Sequence, residues 1–303
     1  MRILLIAGGW SSEREIALLG AREITKALHD LGHDVVFLDP AHDLGNLISA
    51  AESCDFAFIN LHGSPGEDGL VQSLLDTVPI PYQGAGPAAS QLALNKVATK
   101  MIYQRHGVNT PNWAFIPAVD RKKPSTISLP FPRVIKPCTA GSSVGIFFAR
   151  SPQDFEAALG HEALAGQDLL VEEQIRGQEI TCAVLDDTPL PPVLIIPKKG
   201  TFFDYTSKYE DQGAEEICPA PLEDSLLAEI QHMALTAHRI LGIKDYSRTD
   251  FIVDDRQCAF ALETNTLPGM TSASLLPKEA LAAGMSFKDL IGRLITLGMR
   301  KST

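Results

Sequence analysis

Two short segments late in the chain hold the residue types best suited to a hard cation. Arg248-Thr249-Asp250 and Glu263-Thr264-Asn265 read as two strands joined by a turn at Asp254-Asp255, which sets Asp250 and Glu263 side by side. Asn265 lies two residues past Glu263 and so faces the same way in an extended chain. Two carboxylates and an amide oxygen are hard-oxygen ligands. Mg²⁺ commonly takes one or two carboxylates and lets nucleotide phosphates complete its octahedron. The competing reading is a charged strand pair with solvated acids. Glu263 speaks against it, because it closes the apolar run Phe260-Ala261-Leu262, where an unpaired charge is costly.

A second chemical segment is Val134-Ile135-Lys136-Pro137-Cys138-Thr139-Ala140-Gly141-Ser142-Ser143-Val144-Gly145. A lysine ends an apolar strand, and a glycine- and serine-rich turn follows. Backbone N–H groups of such a turn can wrap a phosphate while the lysine supplies a point charge. It is not a GxxxxGK[ST] loop, and taken alone it reads equally well as an ordinary hairpin turn.

The elements that must position these groups follow from periodicity. Arg2 to Ala7 is a buried strand. Glu13 to His33 is a helix, with Ile16, Leu19, Ile24, Ala27, Leu28 and Leu31 at helical spacing, Ser12 and Glu15 as a capping box, and Gly32 as its close. Asp34 to Leu38 is a second strand, Leu44 to Ser53 a helix and Asp55 to Asn60 a third strand. This alternation predicts a parallel α/β sheet, with ligands beyond the carboxyl ends of its strands. Two polar, glycine-rich loops fall there, Gly8 to Ser12 and His62 to Gly69. A Gly/Pro cluster at Pro81 to Pro87 marks a domain boundary. Helices are expected at Ala88 to His106, Pro152 to Leu159, Leu222 to Leu241 and Pro277 to Gly298. Strands are expected at Trp113 to Ile116, Arg133 to Lys136, Val144 to Ala149, Leu169 to Glu173, Glu179 to Leu185, Leu190 to Ile196, Arg248 to Val253 and Ala259 to Glu263. Gly200 to Gly213 is aperiodic, mixes aromatics with charge and suits a binding loop.

Composition narrows the function classes. The chain has 303 residues, 45% apolar and 21% charged, which excludes a disordered protein. A net charge of −11 argues against nucleic acid. No apolar run approaches the roughly 18 residues that span a bilayer. The apolar start breaks off at Gly8-Gly9 and reads as a strand rather than a signal peptide. Five cysteines, none spaced CxxC, suit a reducing cytoplasm and argue against a disulfide frame or a thiolate zinc site.

Taken in order, the motifs resemble those of D-alanine–D-alanine ligases of the ATP-grasp superfamily over nearly the whole length. They are Gly8-Gly9-x-Ser11-x-Glu13-x-Glu15, His62-Gly63-x-x-Gly66-Glu67-Asp68-Gly69, Pro81-Tyr82-x-Gly84, Asn95-Lys96 and Lys136-Pro137-x-x-x-Gly141-Ser142-Ser143-Val144-Gly145. Phe203-Asp204-Tyr205-x-x-Lys208-Tyr209, Arg248-x-Asp250 and Glu263-x-Asn265-Thr266-x-Pro268-Gly269-Met270-Thr271-x-x-Ser274-Leu275 complete the set. The resemblance implies an N-terminal parallel α/β domain (1–90) followed by a two-lobed ATP-grasp fold (91–176 and 177–303). It implies a cytoplasmic homodimer that joins two D-alanines for peptidoglycan precursors, using ATP and a pair of Mg²⁺ ions, with Mn²⁺ as a substitute.

Roles carry over residue by residue. Lys96, Lys136 and the Ser143 turn would contact ATP phosphates. Glu172-Glu173-Gln174-Ile175 would line the adenine pocket with backbone groups, and Glu179 would hold the ribose. Asp250, Glu263 and Asn265 would bind metal. Glu13 would pair with the ammonium of the first D-alanine, assisted by His62, and join Ser142 and Tyr209 in a hydrogen-bonded triad. Lys208, Ser274 and the Leu275 N–H would receive the carboxylate of the second D-alanine. Arg248 and the Gly269 N–H would form an oxyanion hole. Family members that make D-alanyl-D-lactate replace the tyrosine at the position of Tyr209, so its presence implies an amine nucleophile. The chain departs from the family at Trp10, Asn95 and Thr264, and Cys138 closely follows the phosphate lysine. The alternatives are an ATP-grasp ligase for another amino acid pair and an ATP-binding regulatory module without turnover.

Overall fold

The computed structural model describes residues 1–120, 127–139, 141, 145–198 and 213–300. The first strands are β1 (Arg2–Ala7), β2 (Asp34–Leu38) and β3 (Phe56–Asn60), parallel and in the order β2-β1-β3. Both β1 and β3 are apolar runs buried along nearly all their length, as expected of a sheet covered on both faces. The crossover helix α1 (Arg14–Asp30) buries Ala17, Gly20, Ala21, Ile24, Ala27 and Leu28, a helical stripe against the sheet. Gly32, at φ +78°, turns the chain out of it. The expected capping box does not form: α1 starts after Glu13, whose N–H donates to Ser11 Oγ at 3.2 Å. Short helices α2 (Pro40–Asp43), α3 (Leu47–Glu52) and α4 (Leu70–Leu75) complete this layer.

The expected single helix over Ala88 to His106 is two, α5 (Pro87–Leu94) and α6 (Lys96–Arg105). Asn95 breaks the run with an extended ψ of 98°, and its side chain caps α6 by accepting the Ala98 N–H at 3.1 Å. That break places Lys96 at the first position of α6. An all-antiparallel sheet follows: β4 (Trp113–Ile116), β5 (Arg133–Pro137), β6 (Phe147–Ala149) and β7 (Leu169–Glu173), in the order β4-β7-β5-β6. Its odd-face residues Ile135, Leu169 and Val171 pack with α7 (Pro152–Gly160). Period-two alternation therefore turns Val134, Lys136 and Glu172 to the opposite face.

The third sheet holds β8 (Gly177–Leu185), β9 (Thr188–Pro189), β10 (Val193–Pro197), β11 (Ala214–Ile217), β12 (Tyr246–Asp254) and β13 (Ala259–Asn265). Its order is β11-β10-β8-β12-β13, with β9 on β8. Helix α8 (Asp224–Ile240) buries Ile230, Ala234 and Ala237 in one cluster with Phe251, Val253, Ala259 and Ala261. The expected helix over Pro277 to Gly298 is also two, α9 (Leu275–Ala282) and α10 (Phe287–Gly298). Gly284 breaks it at φ +85°, and Ser286 with Asp289 forms a capping box that restarts it. Leu290, Ile291, Leu294 and Ile295 of α10 join the core of the first sheet, so the end of the chain clamps its beginning.

Candidate functional site

Register on the third sheet assembles the carboxylates. Asp250 faces Thr181 on one side and Glu263 on the other, giving a row across β8, β12 and β13. The adjacent row pairs Ala183, Arg248 and Asn265. Phe251 and Val253 point to α8, so Arg248 and Asp250 point away from it. The Arg248 guanidinium donates to both Asp250 oxygens at 2.8 Å each. Asp250 also accepts from Thr181 Oγ1 at 2.6 Å and Asn265 Nδ2 at 3.0 Å. Burial pulls the Arg248 pKa down, but the Asp250 charge outweighs it and holds the guanidinium well above its ordinary value.

Between the second and third sheets lies a cavity of about 660 Å³, within the range for small-molecule sites. Lys96, Lys136, Glu172, Glu173, Gln174, Ile175, Glu179, Asp250 and Glu263 all line it. These nine expected residues come from six segments of the chain. Lys96 Nζ stands 2.9 Å from Glu263 Oε2, and its backbone N–H donates to Cys138 O at 2.9 Å, tying α6 to the turn after β5. Burial opposes the Lys96 charge, and Glu263 more than compensates. Glu172 behaves differently from expectation. Its side chain, not only its backbone, takes part: it is buried and ion-paired to both Lys136 and Lys100. Burial pushes its carboxyl up, but the two lysines together hold it below its ordinary value.

A second group gathers beside this cavity, where β1 and β3 end level, with Ala7 opposite Asn60. The two glycine-rich loops then run together. A Cβ on Gly63 would sit 3.1 Å from Ser11 Cβ, and Trp10 Nε1 donates to Ser64 Oγ at 3.3 Å. Asp39 secures the first loop by accepting from the Gly9 N–H at 3.0 Å, while Arg14 donates to Gly9 O at 2.7 Å and ion-pairs with Asp39. Glu13 reaches toward the phosphate turn, its Oε2 being 3.5 Å from where a Gly141 Cβ would be. His62 is buried, and its Nδ1 donates to Leu267 O at 3.0 Å. Its Nε2 is therefore an acceptor, and it has no hydrogen-bond partner among the described residues. Burial lowers its pKa, with Glu13 and Arg248 both close enough to be felt.

The loop carrying Gly269 and Ser274 is seated on α1. Glu23 accepts the Ser272 N–H at 2.7 Å, and a Cβ at Gly20 would lie 3.1 Å from Met270 O. Ser274 Oγ lies 2.9 Å from a Gly269 Cβ position and accepts the Thr271 N–H at 3.1 Å. Leu275 opens α9, so its N–H is one of the free donors of a helix start. Ser142, Ser143, Lys208 and Tyr209, and with them most of the expected lid at Gly200 to Gly213, lie outside the described residues.

Asp250, Glu263 and Asn265 fit a hard divalent cation by donor chemistry: two opposed carboxylates and an amide, at the edge of a cavity that also presents lysines to an anion. Among the described residues no group of three or more His, Cys, Asp or Glu side chains forms a metal cage, so phosphate oxygens would have to complete the shell.

Four residues escaped the sequence reading. Lys100 stands beside Lys96 at i,i+4 on the expected helix, but that spacing alone assigned it no role. Glu67 belongs to the His62 to Gly69 motif. Burial raises its carboxyl to about 7, helped by repulsion from Glu13 and Glu263, and it accepts the Gly63 N–H at 2.9 Å. Thr181 and Glu279 gave no signal, being an ordinary strand threonine and a helix acid. Glu279 is fully buried and raised by that burial to about 8, although it accepts the Ala183 N–H.

Comparison with known proteins agrees with this geometry. Residues 102–296 match the family model described as D-ala D-ala ligase C-terminus. A D-alanine–D-alanine ligase of Nitratidesulfovibrio vulgaris (strain DP4) is 54% identical over 302 residues, covering 99% of this chain and 98% of that protein. The crystal structure of a Bacillus anthracis D-alanine–D-alanine ligase complexed with ATP superposes with a TM-score of 0.85 at 32% identity, covering 99% and 97%. The VanG D-Ala:D-Ser ligase of Enterococcus faecalis superposes at 0.84 with 27% identity, covering 98% and 99%.

Proposed function

The chain belongs to the D-alanine–D-alanine ligase family, and we propose from that premise that it joins two D-alanines at the expense of ATP, for peptidoglycan precursor synthesis. The observation that carries this reading is the meeting of the lysine- and carboxylate-lined cavity with the Glu13, His62 and Gly269 cluster, linked through Arg248 and Asp250.

A carboxylate is a poor electrophile and must be activated. The carboxylate of the first D-alanine attacks the γ-phosphate, the bond to the bridging oxygen breaks, and ADP leaves. The amine of the second D-alanine attacks the acyl carbon, and phosphate leaves. Lys96 and Lys136 receive phosphate oxygens, the Glu172 to Ile175 segment receives adenine, and Glu179 the ribose. Mg²⁺ held by Asp250, Glu263 and Asn265 would spread the charge on the transferring group. The Glu13 carboxylate and the bare Nε2 of His62 suit the ammonium of the first substrate. Arg248 and the Gly269 N–H stabilise the tetrahedral oxyanion. Ser274 and the N–H of Leu275 take the second carboxylate with Lys208, while Ser142 and Tyr209 complete the triad with Glu13. In this reading units 91–176 and 177–303 form the nucleotide cavity, and unit 1–90 brings Glu13 and His62 beside it.

D-Serine is the alternative second substrate, since a D-Ala:D-Ser ligase superposes nearly as well as the ATP-complexed relative. Among the described residues no helix is long and apolar enough to cross a membrane. We take the active form as a cytoplasmic homodimer by likeness to the family. The test is purified protein with ATP, Mg²⁺ and D-alanine, with dipeptide and phosphate measured together, and D-serine, D-lactate and L-alanine run in parallel. D-Alanyl-D-alanine in step with phosphate is expected. Phosphate without dipeptide, or faster mixed product with D-serine or D-lactate, would overturn the assignment.

A further inference from the structure

Lys100 sits one turn beyond Lys96 in α6, is fully buried, and does not line the nucleotide cavity. Its ammonium is paired with one oxygen of Glu172, and Lys136 is paired with the other. Lys100 also donates to Thr110 Oγ1, which in turn donates to Ala261 O at 2.7 Å. That chain fixes the ammonium against β13, behind the cavity wall. Burial lowers Lys100 to about 8, with Glu172 resisting the fall, so it stays largely protonated at neutral pH.

The charge balance gives this arrangement a consequence. Among the described residues Lys96 pairs with Glu263 and Arg248 with Asp250. Around Glu172 stand two ammonium groups and one carboxylate, so the cluster carries one net positive charge. We propose that Lys100 is a positioning residue for nucleotide binding: it satisfies Glu172 from the buried side, leaving the charge of Lys136 to the phosphate oxygens of a nucleoside triphosphate. This rests on the reading of Lys136 as a phosphate ligand. Without Lys100, Glu172 and Lys136 form a neutral pair, and incoming phosphates must compete with a desolvated carboxylate for the same ammonium. Without both Lys100 and Glu172, Lys136 stands alone and the net charge returns.

The experiment measures MgATP affinity by calorimetry without D-alanine, D-alanine KM in turnover, and thermal unfolding. The proteins are the wild type, Lys100→Met, Lys100→Met/Glu172→Gln and Lys136→Met. Lys100→Met is expected to weaken MgATP on the order of tenfold or more while leaving D-alanine KM unchanged. The double variant is expected to regain most of that affinity. It removes one buried charge of each sign and leaves the Lys136 ammonium at the cavity wall, so it keeps the test open if Lys100→Met does not fold. A folded Lys100→Met that binds MgATP like the wild type would overturn the proposal, as would a double variant as weak as Lys136→Met. Unchanged affinity in Lys136→Met would instead remove the phosphate role beneath it, whereas loss there with none in Lys100→Met removes the positioning role alone.

Discussion

Arg248→Gln separates the joining step from nucleotide binding. The guanidinium spends two bonds of 2.8 Å on Asp250, leaving its remaining donors for the oxyanion of the proposed reaction. Removing one oxyanion donor costs about 3–4 kcal/mol in the transition state, so kcat should fall about 10²–10³-fold. The side effect is the loss of those two bonds at Asp250. Asp250 keeps Thr181 Oγ1 at 2.6 Å and Asn265 Nδ2 at 3.0 Å, which hold its carboxylate in place. MgATP affinity should therefore drop by only about a factor of a few. Glutamine is chosen over alanine because its amide keeps a donor toward Asp250. The assay pairs steady-state dipeptide formation with direct MgATP binding on the same preparation. Equal losses in kcat and in MgATP affinity would refute the reasoning, since Arg248 would then act on the metal carboxylate alone.

Glu279→Gln should flatten stability on the alkaline side. The folded protein holds a proton on Glu279 up to about pH 8, whereas the unfolded chain releases it near 4.5, so stability is full below about 4.5 and lost as pH rises through 8. The ceiling is about 5 kcal/mol at 1.36 kcal/mol per unit, and relaxation of the buried site reduces it. Urea unfolding of both proteins at pH 5 and 8.5 checks this, and equal slopes in the two would contradict it. Asp39→Asn should act on the acid side. Burial raises that carboxyl, but Arg14 and the N–H groups of Gly9 and Ala41 outweigh it and hold it near 2, so its contribution is present above about 3.8 and lost as pH falls through 2. The variant should lose on the order of 1–2 kcal/mol at neutral pH after allowance for solvent screening, and raise D-alanine KM, because Asp39 pins the loop before Glu13. An unaltered KM would show that the loop holds without it. Gly69→Ala should lower the melting temperature markedly: φ is +81°, and the added Cβ would lie 2.5 Å from Pro87 O. A melting temperature within a degree or two of the wild type would mean that the backbone there yields freely.

Local pattern made most of the fold legible. The β1-α1-β2 alternation and the apolar runs of β5, β7, β12 and β13 could be read because burial on one or both faces leaves a period of two or an unbroken apolar run. The two helix breaks were missed for a shared reason. Asn95 and Gly284 interrupt apolar periodicities that continue in phase on both sides, so the stripe looks unbroken while the backbone turns. The Ser12 cap fails because the helix starts one residue later, after Glu13, so Ser12 lies outside the N-cap position. Asp250 opposite Glu263 was readable from the turn between their strands. Thr181 in the same row was not, since β8 and β12 are joined by sixty residues whose register no local signal sets.

Burying this much charge is a poor way to stabilise a protein. Lys96, Lys100, Lys136, Glu172 and Asp250 are all nearly sealed from water, and apolar side chains of the same volume would do as well or better for the fold. The pairs make sense only toward a guest that brings opposite charge. On the proposed function, a polyphosphate would enter a wall where ammonium groups are already desolvated and held in place, and a divalent cation would meet carboxylates paired across neighbouring strands. Glu263 and Asp250 act as counter-ions to Lys96 and Arg248, and in the proposed reaction each would share its carboxylate with the cation. The energy of burial is thus met during folding, before substrate arrives, and the reorganisation that water would demand at the moment of phosphoryl transfer is avoided.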